Sequence, residues 1–207
     1  SFRRWRERHL ALRQAQVQPE HWGLGAHDPV VALAGLIEDQ DTVLVIGAAD
    51  GACALFLAAH GALVHVGDPD IAAIYGLEGR AVNEQLGALI ECTVVQLERF
   101  EPFAWFVACV VETGALADLP AQERSRLIER LKRVTPDGGR HAVMPASQGR
   151  GRADGRLSSD ALRSLYGDWE VIAPPVASSA PGKKPKNSGF TAIHAASQNG
   201  TELPVSE

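Results

Sequence analysis

The sequence predicts an α/β fold: a Rossmann-like, doubly wound and mostly parallel sheet of seven strands, with helices on both faces and an antiparallel C-terminal strand. Three observations lead there. Short β-branched apolar runs alternate with helical stretches over most of the chain. One of those runs, Val43-Leu44-Val45-Ile46, breaks at Gly47-Ala48-Ala49-Asp50-Gly51 and passes directly into an apolar helical stretch. The next run ends at Asp68, where a doubly wound sheet carries an acidic group toward a ligand.

Taken in order, residues 1–13 place Arg3, Arg4, Arg6, Arg8 and Arg13 around Phe2, Trp5, His9, Leu10 and Leu12, the mix of a short amphipathic helix. Residues 14–26, with Pro19, Gly23 and Gly25, read as irregular. Asp28-Pro29 then supplies an N-cap and a first-turn proline for a helix from Pro29 to about Glu38. Strands are expected at 42–46, 62–66, 90–97, 105–111 and 141–144. Helices are expected at 52–60, 71–85 and 120–134, the last with Leu127, Ile128, Leu131 and Val134 on one face. Ser159 or Asp160 caps a late helix through Tyr166. Residues 169–173 and 190–196 form a closing antiparallel pair across a loop at 174–189. Residues 148–155 read as a loop and 197–207 as a tail, so the domain spans 27–196 behind an N-terminal segment, 1–26, able to fold over the site as a lid.

Composition narrows the classes of function. At 207 residues the chain suits one domain with a substantial core. Its 20 basic and 25 acidic residues, net charge -5, offer no general attraction to nucleic acid, so a small-molecule partner is expected. Cys53, Cys92 and Cys109 sit in apolar segments without metal-ligand spacing and read as reduced hydrophobes, with no metal expected. No apolar run approaches the roughly 20 residues needed to span a bilayer, and no signal core follows the N-terminal arginines, so a cytoplasmic location is expected. Homo- or hetero-oligomers both remain open.

The turn at 47–51 is suited to a nucleotide-like cofactor. Its glycines permit close backbone approach, and the helix that follows presents free amides. A phosphate-binding P-loop does not fit, because no Gly-Lys-Ser/Thr follows. A dinucleotide fingerprint would need glycine at Ala49 and Ala52.

Residues 43–62, Val66-Gly67-Asp68-Pro69, Thr135-Pro136-Asp137-Gly138-Gly139 and the stretch 162–171 resemble the motifs of class I S-adenosylmethionine-dependent methyltransferases. The chain looks most like the tellurite-resistance and thiopurine-type heteroatom enzymes over about 22–196. The resemblance implies S-adenosylmethionine as cofactor, with Gly47, Ala48, Ala49 and Gly51 along its methionine part and Asp68 and Pro69 at ribose and adenine. Gln96 and Leu97 would lie at the adenine amino group, and Val111 under the methyl donor. His27 and Glu112 are the candidate bases, and Trp5, His9 and Trp22 the candidate substrate-side wall. The implied activity is methyl transfer to a small-molecule S, Se, Te, N or O atom, an in-line displacement in which the protein supplies proximity and at times a base.

The chain departs from the family pattern at Val45, Ala49, Gln96 and Ala104, which thins the polar contacts to the cofactor. These departures define a second reading, a catalytically silent binding or partner subunit. A third, an RNA methyltransferase, would use the N-terminal arginines with Arg150, Arg152, Arg156, Lys183, Lys184 and Lys186 as a phosphate footprint.

Overall fold

A computed structural model describes residues 2–145, 157–173 and 189–195. The loops expected at 148–155 and 174–189 fall largely outside these residues. The tail at 197–207 and the basic side chains Arg150, Arg152, Arg156, Lys183, Lys184 and Lys186 lie wholly outside them.

Seven strands form one sheet: β1 (Thr42–Ile46), β2 (Leu63–Asp68), β3 (Ile90–Val94), β4 (Ala108–Glu112), β5 (Arg140–Met144), β6 (Glu170–Ile172) and β7 (Phe190–Ile193), in the spatial order β3-β2-β1-β4-β5-β7-β6. The first five run parallel, and β7 lies antiparallel between β5 and β6. From β1 the chain winds outward to β2 and β3, then crosses back to start β4 on β1's other side. The order therefore reverses between β1 and β4, and their carboxyl ends flank the crevice in which such sheets bind ligands.

Among the described residues the α-helices are α1 (Phe2–Gln16), α2 (Pro29–Ala34), α3 (Ala52–Ala59), α4 (Ile71–Asn83), α5 (Thr113–Leu116), α6 (Ala121–Arg133) and α7 (Ser159–Ser164). Because successive strand side chains point to opposite faces, β1 feeds two cores. Val43 and Val45 pack with Trp22, Val30, Leu33 and the apolar residues of α3 and α4. Leu44 and Ile46 pack with Leu127, Ile128 and Leu131 of α6, and with Tyr166, Trp169 and Phe190. Burial on both faces explains why residues 43–46 of β1 and 108–111 of β4 are unbroken apolar runs.

Several boundaries differ from the sequence reading for identifiable reasons. The fourth strand starts at Ala108, not Trp105: its first ladder partner is Val43, the Val107 amide reaches the Thr42 carbonyl where β1 starts, the Phe106 amide turns to the Val134 carbonyl, and Trp105 is 70% exposed. The third strand stops at Val94, opposite Asp68, where β2 ends, and Leu97–Arg99 turns into a single 3₁₀ turn. The first helix runs on to Gln16 because that side chain is buried, donating from Nε2 to the carbonyl and carboxylate of Glu84. Pro19–Trp22, inside the stretch read as irregular, is a 3₁₀ turn. The second helix stops at Ala34, before Gly35, and the Asp28 carboxylate accepts from the Gly25 amide instead of capping that helix. The cap of α7 is Ser158, whose hydroxyl accepts from the Ala161 amide. Thr113–Leu116 is a helical turn that apolar periodicity does not signal.

Candidate functional site

The turn from β1 to α3 is held by the end of β2. The Gly47 amide donates to the Gly67 carbonyl at 2.8 Å, and the Ala48 amide to Asp68 Oδ2 at 2.6 Å. Asp68 Oδ1 accepts from the Asp70 amide at 2.7 Å, so one carboxylate, 2% exposed, ties the first turn to the second. Asp50 Oδ1 accepts from the Ala52 amide at 3.0 Å as α3 begins, and Arg80 of α4 donates to the Asp50 carbonyl. Ala49 takes a left-handed conformation, φ 47°, which costs a residue with a side chain of order 1 kcal/mol or more.

Gly47, φ 95°, admits the end of β4. A β-carbon there would stand 2.7 Å from Glu112 Cβ and 3.0 Å from Ala115 Cβ. Glu112 is thereby enclosed, 7% exposed, with Oε1 accepting from the Cys53 thiol at 3.0 Å. Burial pushes its carboxyl up to about 7. The Cys53 hydrogen bond works the other way, and the negative charges of Asp50, Asp28 and Asp68 add to the rise. Burial and the adjacent Glu112 also push the Cys53 thiol up, so it stays protonated.

At the carboxyl edge of the sheet opens a cavity of about 430 Å³, lined by Asp68, Pro69 and Asp70 after β2, Leu97 and Glu98 after β3, and Gly114, Ala115, Asp118 and Leu119 after β4. Its outer wall is held from α6: Arg130 Nη2 donates to the carbonyls of Leu97 at 3.0 Å and Glu98 at 3.1 Å. The volume falls within the roughly 300–1,000 Å³ of small-molecule sites. Among the described residues no His, Cys, Asp or Glu side chains gather as a metal ligand set.

No protein-family model matches the sequence, and no curated protein does. Solved structures are similar across nearly the whole chain. A TehB-like SAM-dependent methyltransferase from Corynebacterium glutamicum is 16% identical with a TM-score of 0.59, covering 93% of this chain and 94% of that one. The N-methyltransferase NodS from Bradyrhizobium japonicum is 17% identical with a TM-score of 0.57, covering 92% and 96%. A SAM-bound amino pentose methyltransferase from Micromonospora echinaspora is 13% identical with a TM-score of 0.59, covering 84% and 93%. The chain has the class I methyltransferase fold.

Within this methyltransferase fold the residues singled out from sequence fall into three groups. Asp68, Pro69 and Leu97 line the cavity. Gly47, Ala48, Ala49 and Gly51 form the adjoining turn, Glu112 lies beneath it, and exposed His27 precedes Asp28, whose charge acts on Glu112. The remainder sit elsewhere. Val111 is wholly buried in the second core, and Gln96 is exposed at the start of the 3₁₀ turn without lining the cavity. Trp22 is 5% exposed in the first core, its Nε1 donating to the Gln16 carbonyl at 2.7 Å. Trp5 is exposed on α1 and stacks on His9, whose Nδ1 lies 3.2 Å from Gln85 Oε1, past the end of α4 opposite the one that follows Asp68. The structure therefore does not bring Trp5 or His9 to the turn, because α1 is anchored through Gln16, Arg13 and His9 to residues 84–85. Sequence reasoning missed Cys53, Asp70, Glu98, Gly114, Ala115, Asp118, Leu119 and Arg130. For Glu98 the available signal was a carboxylate two residues after Gln96; the others had none.

Proposed function

We propose that this chain binds S-adenosylmethionine at the carboxyl edge of β1, β2 and β4 and transfers its methyl group to a small-molecule S, Se, Te, N or O atom. The observation that carries this reading is the cavity at the reversal of strand order, walled by Asp68, Pro69 and Leu97 and adjoining the Gly47 to Gly51 turn. The residues fit such a ligand. The Asp68 carboxylate, which accepts from the amides of Ala48 and Asp70, stands in the cavity wall, and a carboxylate is the acceptor that ribose hydroxyls call for. Leu97 and Leu119 give the base an apolar wall, with the Glu98 carboxylate beside it as an acceptor for an exocyclic amine. In this reading Gly47, Ala48, Ala49 and Gly51 carry the methionine end, Val111 supports the floor of the sheet, and Gln96 leads into the adenine wall.

The bound cofactor supplies an electrophilic methyl group on a sulfonium. The protein's part is to hold acceptor and donor in line and to take a proton where the acceptor carries one. Exposed His27, one residue before Asp28, is the proposed base, and Glu112 is the enclosed group beside the turn. Calorimetry with S-adenosylmethionine and S-adenosylhomocysteine tests the reading: binding of both supports it, and binding of neither at millimolar concentration overturns it. A labelled-methyl assay over thiols, selenols, amines and phenols then identifies the acceptor.

A second reading, a catalytically silent binding subunit, is favoured by the side chain at Ala49, held at φ 47°, and by Glu112 packed against Gly47. Turnover of any acceptor by the purified chain alone counts against it.

A further inference from the structure

Glu112 is a carboxyl group in a position where a carboxylate is poorly served. Its hydrogen-bond partner is a thiol, a weak donor, at 3.0 Å. The groups facing it are Cys53 from α3, Asp50 from the turn, Asp28 from the entry to α2 and Asp68 from the end of β2. Arg80, on α4, donates to the carbonyl of Asp50. The backbone of Gly47 covers the Glu112 Cβ, and Ala115, which also touches the Gly47 position, lines the cavity. Among the described residues no cation forms an ion pair with this enclosed acid, on which three other acids act, one of them the cavity-lining Asp68, and buried charges are ordinarily paired.

We propose that Glu112 is a charge-reading residue of the site: it holds its proton in the free chain and gives it up when a positively charged donor binds against the Gly47 turn, thereby favouring the sulfonium over its neutral thioether product. The inference rests on the proposed cofactor reading. In the step concerned the Glu112 O–H bond breaks, the proton leaves to solvent, and the carboxylate stays as counter-ion to the bound cation. Cys53 remains a thiol and keeps donating to Oε1. Burial raises the carboxyl to about 7, and a nearby cation lowers it from there, so the exchange falls just below neutral pH. The product lacks the sulfonium charge and gains less from the ionised form. Discrimination between donor and product thus rises with pH.

The test is calorimetry of the whole chain with S-adenosylmethionine and with S-adenosylhomocysteine, from about pH 5.5 to about pH 8.5, in buffers of different ionisation enthalpy. Expected is release of up to one proton per S-adenosylmethionine bound below about pH 7, with affinity rising about tenfold per pH unit and levelling above, and a shallower rise for the product. Glu112→Gln should flatten the donor profile. Cys53→Ser, a stronger donor to Oε1, should move its midpoint to lower pH. Equal pH profiles for donor and product, or no proton release by the wild-type chain, overturn the proposal while leaving the cofactor reading intact. Failure of both ligands to bind at any pH overturns the cofactor reading, and this proposal falls with it.

Discussion

A β-carbon placed on Gly47 would stand 2.7 Å from the β-carbon of Glu112, closer than real β-carbons approach one another, so the end of β4 is seated against bare backbone. Gly47→Ala meets Glu112 and Ala115 together and must also hold φ near 95°. Overpacking and a left-handed conformation each cost about 1–3 kcal/mol, so the expected loss is about 2–6 kcal/mol in urea unfolding. A loss under about 1 kcal/mol would mean that the two strand ends part easily.

Glu112 gives stability a pH dependence of definite sign. Folding raises its carboxyl from the ordinary 4.5 to about 7, so the folded chain binds the extra proton between those values. Its contribution is full below about pH 4.5 and is lost as pH rises through about 7. Glu112→Gln removes that loss. The variant should match the wild type near pH 5 and exceed it near pH 8 by about 3 kcal/mol, read from denaturant midpoints.

His141, wholly buried, behaves in the opposite sense. Thr135 Oγ1 donates to the Leu131 carbonyl at 2.9 Å and therefore accepts from His141 Nε2, at 2.9 Å, which leaves Nδ1 to accept from the Tyr166 hydroxyl at 3.0 Å. This network assigns the neutral Nε2–H tautomer. Burial, with the charges of Lys132 and His194, lowers the ring to about 3. Its contribution is full above the ordinary 6.5 and is lost as pH falls toward 3. Tyr166→Phe should cost about 1–3 kcal/mol near neutral pH, because Nδ1 is left buried without its donor. Thr135→Val should cost a similar amount, and the pair should be less than additive in a double-mutant cycle.

Arg130 fixes the wall at Leu97 and Glu98 from a helix that sequence places far away. Arg130→Met keeps the side-chain volume against α6 but frees both carbonyls. Under the proposed function, S-adenosylmethionine affinity should fall about tenfold, the equivalent of about 1.4 kcal/mol, as measured by calorimetry. An unchanged affinity would remove Arg130 from the site.

Local patterns carried the architecture. The runs at Val43 and Val64 and the turn at Gly47 announced strand, turn and helix, because side-chain periodicity and glycine placement are written within a few residues. The position of Asp68 at the end of the next strand was legible for the same reason. What lay beyond reach were boundaries set by a neighbour, such as β4 beginning at Ala108 because β1 itself begins at Thr42, beyond which the Phe106 amide turns to the Val134 carbonyl.

By itself, the sequence determined the alternation of strands and helices, the turn at residues 47–51 and the acid at the end of β2, since each follows from short-range backbone preference and burial period. Only the tertiary structure decided that Glu112 lies under that turn with Cys53, 59 residues away in the chain. It alone set Glu98 and Asp118 in one cavity, placed Trp22 in the core and anchored His9 at Gln85. All are contacts between segments with no shared periodicity, and those of the site are made when the sheet order brings the carboxyl ends of β1, β2, β3 and β4 side by side.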